Sequence, residues 1–265
     1  MNFHAEDETG CLTSIEAETS TLPVSAWGCE FGNWHGFFSQ ERMGGTNATV
    51  MDKTVTVTRN QVRTKIEVSL PQAHCLFSGS DNIEAGKLIR TYRLEAMEPS
   101  LIGDFVIRSG FSCKLWPKAI LGDRVLVHRG KNSLIEEDLG IVRMVGKAPT
   151  MEVKPGYGRF SLPFRHLTYV RDQPGEAWIV HQRLLTKNGS CDEYVFRVRH
   201  HVFSSSTHRI VANRVVRKIF WRLAEHFWGK IPTIQIGGNV KLLPGSEVEL
   251  QSIMTLHSGD SALGS

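Results

Sequence analysis

The stretch Val62-Arg-Thr-Lys-Ile-Glu-Val-Ser-Leu70 alternates with a period of two. Val62, Ile66, Val68 and Leu70 fall on one side; Arg63, Lys65, Glu67 and Ser69 fall between them. Successive side chains of a strand point to opposite faces, so the pattern predicts one dry face and one wet face. Just upstream, Thr54-Val-Thr-Val-Thr58 is rich in β-branched residues, and Arg59-Asn60-Gln61 separates the two runs. Together they predict a hairpin.

The same signal repeats downstream. Strands are predicted at 88–94, 104–111, 124–128, 140–145, 160–170, 177–185, 194–203 and 248–256. Turn chemistry punctuates them at Gly122-Asp123, Gly130-Lys-Asn132, Pro174-Gly175 and Lys187-Asn-Gly-Ser190. Proline pre-sets φ and glycine accepts a positive φ, so these are natural places for the chain to reverse. Many short strands with closely spaced turns predict a mainly β fold, an antiparallel barrel or sandwich.

One segment departs from this pattern. Over 207–228, Val211, Val215, Ile219, Leu223 and Phe227 recur every four residues, which predicts one long amphipathic helix near the C-terminus. Ser206 or Thr207 would cap its start, and Gly229 with Pro232 would end it. Arg214, Arg217, Lys218 and Arg222 give it a basic surface, interleaved with Phe220, Trp221 and Trp228.

The chain has 265 residues, 41% of them hydrophobic and 22% charged. That length supports a sizeable core without a metal or disulfide staple. Residues 1–25 hold Glu6, Asp7, Glu8, Glu16 and Glu18 with no Lys or Arg, and are expected to form a flexible acidic leader. A single β-rich domain over 26–257 and a frayed tail over 258–265 complete the expected organisation. The five cysteines are scattered and form no C-x-x-C pair, which argues against a disulfide framework or a thiolate zinc site. No secretory signal or uncharged membrane-spanning run is visible, so a reducing cytoplasm is the expected setting.

Gly32-Asn33-Trp34, continuing as His35-Gly36-Phe37-Phe38, resembles the G-x-W opening of the first strand in lipocalins and related calycin barrels. The order of strands, then a helix, then a strand is similar to that group as well. The resemblance implies an up-and-down barrel enclosing a hydrophobic ligand, with Trp34 as a structural residue near its closed end.

Several polar residues are candidates for chemistry. Along 194–203, Tyr194, Phe196, Val198, His200 and Val202 share one face, so His200 belongs to an apolar row. Trp178, Val180, Gln182 and Leu184 form a second such row, and Phe164, His166, Thr168 and Val170 a third. If these strands pair as successive hairpins, His166, Gln182 and His200 point into one space. A few polar groups converging in an aromatic-lined cavity is the general form of a small-molecule site. His200 and His166 are then the candidate acid–base residues, with Tyr194, Phe196, Trp178, Gln182 and Phe164 binding the ligand. A slip of one residue in register would reverse each assignment.

Other chemistry finds less support. There is no H-x-H pair, no H-E-x-x-H helix and no G-x-S-x-G elbow, and neither a metal nor an organic cofactor is expected. Cys113 has a cationic neighbour in Lys114 but is expected to be a buried or idle thiol. Gly237-Gly238-Asn239 matches neither a phosphate loop nor a dinucleotide fingerprint.

Binding of a hydrophobic or aromatic small molecule in a β-domain cavity is therefore the expected function. Cofactor-independent isomerisation or cyclisation is its natural extension, since positioning alone accelerates intramolecular reactions. The alternative is a noncatalytic module that meets anionic membrane or nucleic acid through Arg214, Arg217, Lys218 and Arg222.

Overall fold

The structure is a computed structural model. It describes residues 2–257 except 18–19, 26, 34, 131–132, 160–163, 174, 176, 187–191, 195–214, 217–218, 220–222, 224–233 and 237–238.

The hairpin predicted over 54–70 is present. Thr49–Val57 and Gln61–Leu70 pair antiparallel, with Val57 opposite Val62. Val62, Ile66, Val68 and Leu70 are buried as the alternation requires, and Thr64 takes the remaining buried place. Ala73–Glu84, Lys87–Ala96, Glu247–His257, Thr150–Pro155, Val142–Val145, Lys118–Leu121 and Arg124–Val127 extend this hairpin, in that order, into a nine-stranded sheet.

A second nine-stranded sheet lies against it. Its path runs Asn2–Ala5, Leu12–Ala17, Ser20–Ser25, Asp104–Ser112, Ala177–Thr186, Phe164–Asp172 and Leu134–Asp138. Cys29–Gly32 also pairs with Asp104–Ser112 and carries Phe37–Ser39 beyond it. Among the described residues every pairing is antiparallel, and both paths end in edge strands without a further partner rather than closing. The fold is thus an open sandwich. This overturns the expected lipocalin-like barrel: alternation specifies a two-faced strand but not whether the last strand returns to the first. Trp34 lies outside the described residues.

Residues 2–25, expected to be a flexible leader, instead supply three strands at one edge of the second sheet. Phe3, Leu12, Ile15 and Leu22 anchor them in the core, while Glu6, Glu8 and Glu16 stay at the surface. The acidic composition concealed an apolar residue every few positions. The expected helix over 207–228 falls outside the described residues except at Val215, Val216, Ile219 and Leu223. Val215, Ile219 and Leu223 are more than half exposed, so these stripe positions do not pack as expected. The residues of its basic surface, Arg214, Arg217, Lys218 and Arg222, lie outside the described residues. No helix among the described residues is long and apolar enough to cross a membrane.

The space between the sheets is filled by large side chains. Trp27, Trp116, Trp178, Phe31, Phe77 and Phe105 are essentially inaccessible to water. At roughly 25 cal/mol per Å² of apolar surface, each such ring contributes several kcal/mol to folding.

One buried polar network ties the sheets together. Arg90 Nε donates to Asp81 Oδ1 at 3.1 Å and Arg90 Nη2 to the Tyr92 hydroxyl at 2.8 Å. Across the interface, Arg90 Nη1 donates to Ser109 Oγ at 2.9 Å and to the Arg108 carbonyl at 2.8 Å. The guanidinium also stacks over Trp27 at 5.0 Å. Gly79 makes room for this arrangement, since a Cβ there would lie 2.5 Å from the Tyr92 ring.

Candidate active site

Register decides which side chains of the second sheet share a face. Thr168 lies opposite Gln182, which lies opposite Ile107; Tyr169 lies opposite His181, which lies opposite Arg108. Phe164, His166, Thr168, Trp178, Gln182 and Leu184 therefore look toward the other sheet, as the sequence rows predict. Tyr169, Arg171, His181, Arg183, Asp104 and Arg108 occupy the reverse face.

The inner row is structural in its surroundings. Trp178 and Phe164 are core residues, and Trp178 Nε1 donates to the Trp116 carbonyl at 2.6 Å. His166 and Gln182 are buried, and His166 Nε2, Thr168 Oγ1 and both polar atoms of the Gln182 amide find no hydrogen-bond partner among the described residues. Burial pulls the His166 imidazole down to about 4, with Asp138 opposing, so it is neutral at physiological pH. His166 and Gln182 thus share a face of neighbouring strands, with His166 opposite Leu184 and Gln182 opposite Thr168. His200 and Phe196 lie outside the described residues, and Tyr194 is described only as part of the short strand Asp192–Tyr194.

The reverse face carries the charge. Asp104 Oδ2 and Arg183 Nη2 form an ion pair at 2.7 Å, both groups essentially removed from solvent. Arg183 Nη1 donates to the Tyr169 hydroxyl at 3.3 Å. The Tyr169 ring stacks on His181 with centroids 4.2 Å apart and planes within 9°. Burial pushes the Tyr169 phenol up to about 12, against the attraction of Arg183 and Arg171, so it stays a hydrogen-bonding hydroxyl.

Arg108 continues the row and reaches two carboxylates. Its Nη1 lies 2.6 Å from Glu30 Oε1 and 3.2 Å from Glu41 Oε2. Glu30 comes from Cys29–Gly32, opposite Val106, and Glu41 from the 3-10 turn Gln40–Arg42 that follows Phe37–Ser39. Burial disfavours the Arg108 charge, but the two carboxylates outweigh it and hold the guanidinium protonated. Burial raises the Glu41 carboxyl above its usual range despite Arg108. Arg108 is 15% exposed and Glu41 23%, which makes them the solvent-facing rim of the constellation.

Arg108, Arg171 and Arg183, three carboxylates, an imidazole and a phenol on and beside one sheet face can bind a polyhydroxylated ligand through charge-assisted hydrogen bonds. They can also move protons, because burial raises the Glu41 carboxyl and an imidazole stands on the same face. This face does not stand out in the sequence, because charged residues that alternate along a strand normally face water. The available signal was density: Arg165, Arg171, His181 and Arg183 fall on two adjacent strands.

Comparison with solved structures agrees with the open sandwich. A proposed aldose 1-epimerase of Escherichia coli K12 superposes with a TM-score of 0.56 at 7% identity, over 97% of this chain and 99% of that one. A galactose mutarotase related enzyme of Lactobacillus acidophilus gives 0.52 at 10% identity over the whole of both chains. A galactose mutarotase-like protein of Lactobacillus casei gives 0.53 at 8% identity, over 97% and 99%. At such identities the likeness establishes the fold, a mutarotase-like sandwich in place of the calycin barrel. No protein-family model matches the chain, and no curated protein matches its sequence. The expected hydrophobic ligand falls with the barrel that was to enclose it. The alternative of membrane or nucleic-acid binding gains nothing from a fold shared with sugar enzymes.

Proposed function

We propose that the chain binds an aldose sugar on the charged face of the second sheet and interconverts its anomers by acid–base chemistry. The carrying observation is the Asp104–Arg183–Tyr169–His181 chain of contacts beside Arg108 and Glu41, on a fold shared with aldose-epimerase-like proteins.

Anomer exchange needs only proton movement. A base takes the proton of the sugar O1 hydroxyl as an acid protonates the ring oxygen O5. The C1–O5 bond breaks to give the open-chain aldehyde, rotation about C1–C2 turns the carbonyl over, and O5 re-adds from the other side while both protons return. In this reading Glu41 is the base and His181 the acid, with Arg183, Asp104 and Arg108 holding the hydroxyls. The stacking of Tyr169 fixes the imidazole plane. Positioned acid and base groups contribute about 10²–10⁴-fold each.

Exchange-based proton NMR on a panel of aldoses tests this reading. The expected result is accelerated exchange between the α and β anomeric signals of at least one sugar. An unchanged exchange rate for every sugar, with no saturation transfer from protein to ligand, would remove the proposal.

A further inference from the structure

A second cluster lies at the end of the sandwich near Trp178, away from the charged face. Cys113 follows the strand Asp104–Ser112, Asp172 ends Phe164–Asp172, and His128 follows Arg124–Val127 of the other sheet. One donor atom from each residue lies within 4.8 Å of the other two. His128 Nδ1 is 2.6 Å from Asp172 Oδ1, and Asp172 Oδ2 accepts the Arg129 backbone N–H at 2.8 Å. From these contacts we infer that Cys113, His128 and Asp172 form a binding site for a divalent transition-metal ion, with zinc the best match.

The geometry favours an ion over a proton relay. In a relay the imidazole stands between thiol and carboxylate and holds them apart on its two nitrogens. Here the sulfur lies near both the ring nitrogen and the carboxylate oxygen, so the three donors form a triangle with room for one centre. Thiolate sulfur, imidazole nitrogen and carboxylate oxygen are the donor types zinc takes, at about 2.3, 2.0 and 2.1 Å. The charges also balance, since a thiolate and a carboxylate neutralise a dication in a place where Asp172 is fully buried and Cys113 nearly so. Binding would release the thiol proton, leave the imidazole neutral with its proton on the nitrogen turned away from the ion, and move His128 and Asp172 apart by a fraction of an ångström.

The surroundings are those of a built site. The Arg129 N–H orients the carboxylate through Oδ2 while Oδ1 faces His128, the role outer partners play at metal centres. The edge of Trp178 packs on the His128 ring at 5.7 Å, and the Ser133 carbonyl accepts the Asp172 backbone N–H at 2.9 Å. The His128 side chain is 26% exposed, which leaves an approach from solvent and a fourth position for water. Because His128 belongs to one sheet and Cys113 and Asp172 to the other, the ion would clamp the sandwich.

Cobalt titration of the untagged full chain tests the site. The expected result is a single equivalent bound with a thiolate-to-cobalt band in the near ultraviolet, displaced by zinc, and a Tm that rises with zinc. Cys113→Ser should remove the band. His128→Gln, altering the most exposed ligand and still able to donate to Asp172, should weaken binding by more than about 100-fold, beyond the usual loss from an outer partner. A wild-type protein that takes up no cobalt overturns the inference. So does a band that persists in folded His128→Gln with unchanged affinity, which would place the ion on another of the cysteines.

Discussion

Tyr169 and His181 stand opposite one another on neighbouring strands, their rings 4.2 Å apart and nearly parallel. The pair sits between two charged groups. Arg183 reaches the phenol from the next pair on that face, opposite Leu167, and Arg108 lies across from His181 on the third strand. Sheet pairing alone therefore lines up a proton-transfer group with the guanidinium groups that would hold a substrate. The Arg90 network lies directly behind it and fixes the Arg108 backbone from inside the core.

Asp104→Asn should be strongly destabilising, because it leaves the Arg183 charge buried without its partner. A loss of about 3–5 kcal/mol is expected in denaturant unfolding. Asp104→Leu combined with Arg183→Met should recover much of that stability while sugar binding stays lost. Recovery of both together would show that the ion pair has no part in recognition.

Glu41 gives the pH dependence its sign. As the base it works ionised, and burial raises its carboxyl. Activity should thus fall on the acid side at a pH above the ordinary glutamate value of about 4.3. Glu41→Gln should lower kcat by at least about 100-fold and abolish that limb. A limb unchanged in Glu41→Gln would assign the base elsewhere.

His166 makes a prediction about stability instead. Its folded-state value of about 4 lies below the unfolded value near 6.5, so the unfolded chain binds the proton more readily. Stability should hold above pH 6.5 and fall by up to about 3 kcal/mol as pH drops through 4. His166→Leu should flatten this acid dependence and, by removing an unpartnered buried nitrogen, cost little at neutral pH. Equal acid sensitivity in the variant would contradict the assignment.

Tyr92→Phe separates core from site. It deletes a hydroxyl that accepts from Arg90 and donates to Asp81 at 3.1 Å, at a cost of about 1–3 kcal/mol. At about 2–4 °C per kcal/mol, Tm should drop by several degrees while anomer exchange is retained. A full loss of exchange with an unchanged Tm would mean that this network takes part in the chemistry.

Local structure was legible wherever alternation and turn residues agreed. The 54–70 hairpin and the pairing of 164–172 with 177–186 follow from period-two rows and from the turn at Gly175, whose φ is +104°. The inward rows containing His166 and Gln182 were legible for the same reason. Closure was not, since local pattern is identical in a barrel strand and a sandwich strand. The charged face was not legible, since a charge in a strand normally faces water and only pairing shows Asp104 meeting Arg183 across 79 residues of chain. The convergence of Cys113, His128 and Asp172 depends on strand ends from two sheets, which no local spacing records.

The most direct test compares two faces of one strand. Anomer exchange of a responsive aldose should be measured for wild type, His181→Gln on the charged face and Gln182→Leu on the inner face, at matched folded concentrations. Loss of at least about 100-fold in His181→Gln with near wild-type exchange in Gln182→Leu is the predicted result. Full exchange in His181→Gln, or collapse in Gln182→Leu alone, would contradict a sugar site on the charged face.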